Sequence, residues 1–228
     1  REFVAYYSEL PFREGSGTRT RYSFPNPFFG PGDAVILYSF LRHFNPRRVI
    51  EIGSGYSSAV MLDTNDRCLN RSIGFTFIEP FPERLLRLLE GDDRRRAEVI
   101  ERPVQSVPPE TFSCLERNDI LFVDSSHVVK VDSDVAHIVF NILPTLKPGV
   151  IVHFHDILWP FGYPKRWLLQ GIAWNEAYFL RAFLQFNNAF EILYYNAYIG
   201  SCFSGELGGI LPLCLRDPGG SLWLRKRT

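Results

Sequence analysis

The sequence predicts an α/β fold: one domain over residues 1–228 built on a doubly wound, mostly parallel sheet of seven strands, with residues 1–33 forming an N-terminal cap. Three observations carry this reading. Short apolar runs alternate with stretches of helical period. The intervals between runs are long enough for crossover helices, which makes the strands parallel and the crossovers right-handed. Each run is closed by turn residues, and neither an internal repeat nor a low-complexity tract interrupts the alternation.

Taken in order, Val49–Ile52, Gly74–Ile78, Glu98–Glu101, Ile120–Val123 and Val150–Phe154 read as short buried strands. Ala34–Phe44 follows Pro31-Gly32-Asp33, with Asp33 expected as N-cap. Pro82–Leu89 is a helix after the second strand. Val131, Val135, Ile138, Val139, Ile142, Leu143 and Leu146 fall on one helical stripe, with Asp132 and Asp134 expected at its start, and Lys147-Pro148-Gly149 stops it. Beyond Asp156 the expectation is a helix over Trp174–Phe186 and strands over Phe190–Tyr198 and Ser221–Arg225. The first thirty or so residues, rich in Pro, Gly, Arg and aromatics, read as a cap laid over a pocket.

Length and composition bound the rest. A chain of 228 residues with 46% hydrophobic content buries a large core, and an aromatic share of 15% leaves rings to line a pocket or to pack the interior. Twenty-five basic residues balance twenty-five acidic ones, which argues against a nucleic-acid partner held by phosphate contacts. The runs Arg94-Arg95-Arg96 and Arg225-Lys226-Arg227 read as solvated surface. Cys68, Cys114, Cys202 and Cys214 show neither a CxxC pair nor metal-knuckle spacing, so a reduced, cytoplasmic setting is expected. No run approaches the ~18 apolar residues of a membrane span and no signal peptide is read at the start, although the chain begins at Arg1. A membrane partner is therefore not expected, and homo-oligomerisation stays open.

The most informative segment is Val49-Ile50-Glu51-Ile52-Gly53-Ser54-Gly55-Tyr56-Ser57-Ser58, a buried strand running through a glycine turn into a helix. Glycine at 53 and 55 lets a ligand approach the backbone, and the helix start offers amides to an anion. GxG alone is a weak signal. The third glycine of the dinucleotide fingerprint is replaced by Ser58, which counts against an NAD-binding oxidoreductase. Glu79, at the tip of Phe75-Thr76-Phe77-Ile78-Glu79-Pro80, is suited to accept both hydroxyls of a ribose; capping the next helix is the plainer role. Glu51 is unexpected beside a pyrophosphate, but suits the ammonium or sulfonium end of a cationic ligand.

Glu51-Ile52-Gly53-Ser54-Gly55 resembles the first S-adenosylmethionine (SAM) motif of class I SAM-dependent methyltransferases, and Ile78-Glu79-Pro80 resembles the second. The likeness runs from about Phe28 to Arg225. It implies the seven-stranded methyltransferase fold with SAM as methyl donor. On that resemblance Glu51, Gly53, Ser54, Gly55, Tyr56 and Ser57 surround the methionine part, Glu79 and Pro80 the ribose, Pro103, Val104 and Gln105 the adenine, and Asp124 also faces the donor.

The chemistry is expected at two later strand tips. Val123-Asp124-Ser125-Ser126-His127 ends the fourth strand, and His153-Phe154-His155-Asp156-Ile157-Leu158-Trp159 the fifth. In a parallel sheet both tips open onto one crevice, so Asp124, His127, His155 and Asp156 would converge, with His153 and His155 on one strand face. Carboxylates and imidazoles beside a methyl donor suggest a divalent metal held by Asp124, His155 and Asp156, with His127 as general base removing an acceptor's hydroxyl proton. Asp-Ser-Ser-His resembles the Asp-x-x-His element of metal-dependent O-methyltransferases acting on natural-product sugars. His155-Asp156 stands where catechol-type enzymes carry Asp-Asn, which bears on whether the ion is Mg, Mn, Fe or Zn. His43 and His137 read as packing.

Phe24, Phe28, Phe29 and Tyr56, together with Trp159, Phe161, Tyr163 and Trp174, are candidate acceptor contacts, and Lys165 and Arg166 lie beside them. The expected activity is methyl transfer to a small hydroxylated molecule such as a sugar or another secondary metabolite. N-methylation, a metal-centred reaction that uses SAM only in part, a nucleotide-sugar or NAD-binding oxidoreductase of the Rossmann type and a non-catalytic SAM-binding protein are the alternatives.

Overall fold

A computed structural model describes residues 2–12 and 19–228, so part of the expected cap, residues 13–18, lies outside the described residues. The strands are β1 (Arg48–Ile52), β2 (Gly74–Ile78), β3 (Ala97–Ile100), β4 (Ile120–Val123), β5 (Ile151–Phe154), β6 (Phe190–Tyr195) and β7 (Leu222–Lys226). They form one sheet in the order β3-β2-β1-β4-β5-β7-β6. Neighbours from β3 to β5 pair in parallel, and β7 inserts antiparallel between β5 and β6.

The apolar runs are continuous because both faces of the sheet are covered. In β4, Ile120 and Phe122 enter a core packed by the helices Pro31–Phe44 and Tyr56–Cys68. Leu121 and Val123 enter a second core on the other face, with Ile138, Val139 and Ile142 and, from the helix Glu176–Gln185, Ala177 and Leu180. Ile52 lies level with Ile78 and Val123, and Val123 with Phe154. The carboxyl ends of four central strands are therefore flush, a condition for a shared crevice.

Several boundaries differ from the sequence reading for local reasons. The first long helix begins at Pro31 with Gly30 at its N-cap, and Asp33 is buried inside the first turn instead of capping it. Val131 is 94% exposed and outside the helix. Asp132 adopts a left-handed backbone, φ 60°, and the helix starts only at Asp134, after Ser133 accepts the amide of Ala136. The stripe then changes pitch, from α over Asp134–His137 to π over Ile138–Ile142 and 3-10 over Leu143–Thr145. Pro144 lacks an N–H, and its ring would meet the carbonyl four residues back, so an α ladder cannot run through it. The sixth strand stops at Tyr195 because Asn196 opens a helix and donates to Asp33 Oδ1 and the Pro218 carbonyl.

The described part of the cap is pinned by charge. Arg21, its side chain 9% exposed, contacts Asp63 at 2.8 Å, Asp66 at 2.8 Å and Asp93 at 2.7 Å. Arg96, from the basic run read as surface, joins Asp66 and Asp93 to the same network. Asp63 is almost fully buried and, among the described residues, pairs with Arg21 alone, so removing the guanidinium strands its carboxylate and leaves Asp93 with Arg96 only. Arg21→Gln is expected to cost about 3–5 kcal/mol of unfolding free energy, measured by denaturant titration; a loss below about 1 kcal/mol would show that the cap is held otherwise.

Candidate active site

The backbone ladder continues one residue beyond each central strand. The amides of Gly53, Glu79, Asp124 and His155 donate to the carbonyls of Ile78, Ile100, Ile52 and Val123 at 2.9, 3.1, 2.8 and 2.9 Å. These four residues are thus fixed as the lip of one crevice. Gly53 has φ 79°, and a Cβ there would lie 1.8 Å from the Asp124 carbonyl oxygen. Its glycine is required first by the neighbouring strand, not by a ligand.

Beside this lip lies a cleft of about 470 Å³ lined by Gly53, Glu79, Pro80, Pro103, Val104, Gln105 and Asp124, among others. The residues expected at ribose and adenine therefore share one cavity. Glu79 Oε2 accepts the Ser54 amide at 3.1 Å and Oε1 the Phe81 amide at 2.9 Å, which fixes the carboxylate at the rim with further lone pairs available. Gln105 is held by its Nε2 donating to the Asp132 carbonyl at 2.9 Å.

Glu51 is placed differently from the expectation. Its side chain is fully buried, with Ser57 donating to Oε1 at 2.5 Å and Ser58 to Oε2. Ser58 Oγ also accepts the Gly55 amide at 3.0 Å, so the residue replacing the third glycine ties the turn to the strand. The carboxyl supports the glycine turn from below and is not among the residues lining the cleft. Ser57 is spent on the same contact, and Tyr56 lines a neighbouring recess with Ser54.

Asp124, His127, His155 and Asp156 converge. His127 Nε2 stands 3.4 Å from Asp124 Oδ1 and 3.8 Å from Asp156 Oδ2, while His155 Nδ1 is 3.5 Å from the same two oxygens. His127 and Asp156 both adopt left-handed backbone, φ 60° and 55°, which turns their side chains inward at some conformational cost. Two further acids complete the group. Glu176 Oε2 lies 2.8 Å from His127 Nδ1, and Asp33 Oδ2 lies 3.5 Å from His155 Nε2. Sequence reasoning missed both, because their partners are 49 and 122 residues away. The only local signal was an acid on the inner face of an otherwise apolar helix.

Burial would lower the His127 pKa, but hydrogen bonds to Asp124 and Glu176 outweigh it and push the pKa up to about 10. Burial likewise opposes charge on His155, and the charges of Asp124 and Asp156 raise it well above the usual histidine value. Asp124, still 35% exposed, is held well below the carboxylate range: burial pushes it up, and the His155 charge with the His127 hydrogen bond prevails. Four acidic side chains face two imidazoles, so the acids outnumber the rings two to one. His153 is core: it is fully buried, its Nε2 is 2.9 Å from Ser221 Oγ, and its ring stacks 3.7 Å from Phe122. Burial drives its pKa well below the usual value.

A second cavity of about 660 Å³ opens on the far side of His155 and Asp156. Phe28, Phe29, Trp159, Trp174 and Arg166 line it, whereas Phe24, Phe161 and Tyr163 pack into the interior. Tyr163 accepts the Ala177 amide through its hydroxyl at 3.0 Å.

Residues 50–157 match the methyltransferase-domain family. An uncharacterized protein of Archaeoglobus fulgidus is 40% identical over 97 residues, which is 42% of this chain and 42% of that relative's length. Among solved structures, the O-methyltransferase TomG of Streptomyces achromogenes, involved in tomaymycin synthesis and in complex with SAM, superposes with TM-score 0.55 at 14% identity, covering 100% of this chain and 91% of its own. The SAH-bound methyltransferase PaMTH1 of Podospora anserina gives 0.52 at 16% identity over 86% and 78%. CmcI in a Mg-SAM form gives 0.52 at 16% identity over 98% and 84%. At these identities the likeness establishes the fold.

The buried Glu51 carboxyl generates a pH prediction. Burial raises it to about 8 from 4.5, the two serine hydrogen bonds pulling the other way. A raised acid favours the folded state below its unfolded value, and that contribution is lost as pH climbs through the folded value. Unfolding free energy of the natural chain should fall between pH 4.5 and about 8 by up to about 1.4 kcal/mol per unit more than that of Glu51→Gln, read from denaturant curves at a series of pH values. Parallel pH profiles for the two proteins would contradict a buried neutral carboxyl.

Proposed function

We propose, from the match of residues 50–157 to the methyltransferase-domain family and the sheet order β3-β2-β1-β4-β5-β7-β6, that the chain transfers a methyl group from SAM to a hydroxyl of a small acceptor. The observation that carries this reading is the placement of Glu79 on the donor cleft and of Asp124 between that cleft and the His127–His155–Asp156 group. The donor's adenosine fits a cleft of about 470 Å³ whose rim acid is fixed to receive a ribose. The aromatic cavity beyond Asp156 then takes the acceptor, a polyhydroxylated sugar or other secondary metabolite.

The same group supports a divalent cation. Among the described residues, no set of three or more His, Cys, Asp or Glu side chains has closed metal-site spacing as it stands. The donor chemistry nonetheless fits. Both ring nitrogens of His155 are buried without a hydrogen-bond partner, and Nδ1 faces one oxygen each of Asp124 and Asp156. Those distances of 3.5 Å compare with the roughly 3.4 Å edge between tetrahedral donors about 2.1 Å from an ion. Asp124, Asp156 and His155 would hold the ion, the His155 ring giving up its proton as the ion binds, and the bound ion would lower an acceptor hydroxyl's pKa.

The chain's own residues then orient and deprotonate. Glu176 fixes the His127 ring through Nδ1 and leaves Nε2 facing the reaction space. At neutral pH His127 holds a proton here, so its service as general base requires positive charge beside Asp124 to offset the carboxylates that raise its pKa. Asp124 aligns the acceptor oxygen with the donor methyl, and exclusion of water keeps that oxygen nucleophilic.

Calorimetry should show SAM and S-adenosylhomocysteine (SAH) binding with no measurable NAD binding, and Glu79→Ala should weaken SAH at least tenfold; tight NAD binding would reverse the assignment. His127→Ala should keep SAH affinity within threefold and lose turnover by about 10²–10⁴-fold on an acceptor found by substrate screen. Asp124→Ala should abolish any turnover that a chelator inhibits. Full activity after exhaustive chelation would exclude the cation.

A further inference from the structure

A recess of about 560 Å³ lies beside the donor cleft, sharing Glu79 and Phe81 with it and adding Ser54, Tyr56, Arg84 and Arg87. The Arg84 stem crosses the glycine turn: a Cβ at Gly55 would sit 3.0 Å from Arg84 Cδ and 3.7 Å from Nη1. The guanidinium carbon lies 4.1 Å from the centroid of the Phe28 ring, which stacks on Tyr56 at 6.2 Å. Neither Arg84 nor Arg87 pairs with a carboxylate among the described residues, in a protein where Arg21, Arg42 and Arg96 all do. Two acids share the recess. Glu79 is engaged by the Ser54 and Phe81 amides, and Glu83 makes no ion pair with either arginine. Ser54 Oγ is buried with no hydrogen-bond partner.

We propose that Arg84, seated on Phe28 and supported by Arg87 and Ser54 Oγ, binds the α-carboxylate of the methyl donor and makes the site selective for nucleosides carrying an amino-acid arm. This rests on the donor reading given above. A ribose held at Glu79 places its side arm toward the glycine turn, where a guanidinium fork that pairs with neither acid of the recess and an unmet hydroxyl stand together. Arg is the side chain suited to a planar carboxylate, because its fork delivers two parallel N–H donors. The Phe28 face fixes the fork before the ligand arrives, which reduces the ordering cost of binding.

The test compares SAH with methylthioadenosine, which keeps the adenosine and thioether but lacks the amino-acid arm, by calorimetry on the natural chain, Arg84→Leu and Phe28→Leu. Arg84→Leu is expected to weaken SAH about tenfold to a hundredfold while methylthioadenosine stays within twofold. Phe28→Leu is expected to give a smaller loss confined to SAH. Inorganic phosphate should compete with SAH and not with methylthioadenosine. Equal losses for both ligands, no loss for SAH, or phosphate binding that leaves SAH undisturbed would overturn the assignment of Arg84. Failure of the natural chain to bind either adenosyl ligand would instead remove the donor reading, and this inference with it.

Discussion

The site depends on how closely two parallel strands approach at their tips. The Asp124 carbonyl occupies the space where any side chain at position 53 would stand. Because Gly53 yields that space, β1 and β4 stay in register to their last residue, and the acids and imidazole that follow each strand emerge level with one another. Glu51 reinforces the same point from beneath, its carboxyl binding the first turn of the next helix through Ser57 and Ser58. Turn, helix start and strand tip are one unit, and the cleft beside the lip and the recess next to it are built on it.

Above that unit the dominant force is electrostatic. Asp33, Asp124, Asp156 and Glu176 surround His127 and His155, and none of the acids lies far from an imidazole. Such a group is stable only if its negative charge is offset, and ring protonation offsets part of it. The remainder is what a sulfonium donor or a divalent cation would neutralise. Chemistry and stability are therefore coupled: the groups that raise the histidine pKa values are those that would receive a positively charged ligand.

Much of the fold was legible because the strands are buried on both faces, so each reads as an unbroken apolar run. The crevice was legible because parallel strands must end on one edge, which brought Glu79, Asp124, His155 and Asp156 together on paper. Periodicity failed at Val131, whose spacing fits the stripe while Asp132 takes a left-handed backbone that ends the helix before reaching it. Local grammar also misread Asp33. Its place after Pro31-Gly32 suggests a cap, yet its oxygens accept the amides of Gly220 and Ser221 and the Ser221 hydroxyl, contacts about 190 residues away that no local rule reaches. Glu51 was assigned to the ligand because a buried acid beside a glycine turn looks unpaired until Ser57 and Ser58 fold back over it.

The family match spans residues 50–157, and two of the four acids around its histidines, Asp33 and Glu176, lie outside it. Asp33 comes from the helix ahead of the matched segment, Glu176 from a helix after it, and Ser221, which holds Asp33, from the last strand. Two proteins could share every residue of the matched core and still differ in the net charge and hydrogen bonding around these histidines. Divergence in the flanks alone would then retune the proton affinity of these imidazoles, while leaving the glycine turn and the strand tips untouched.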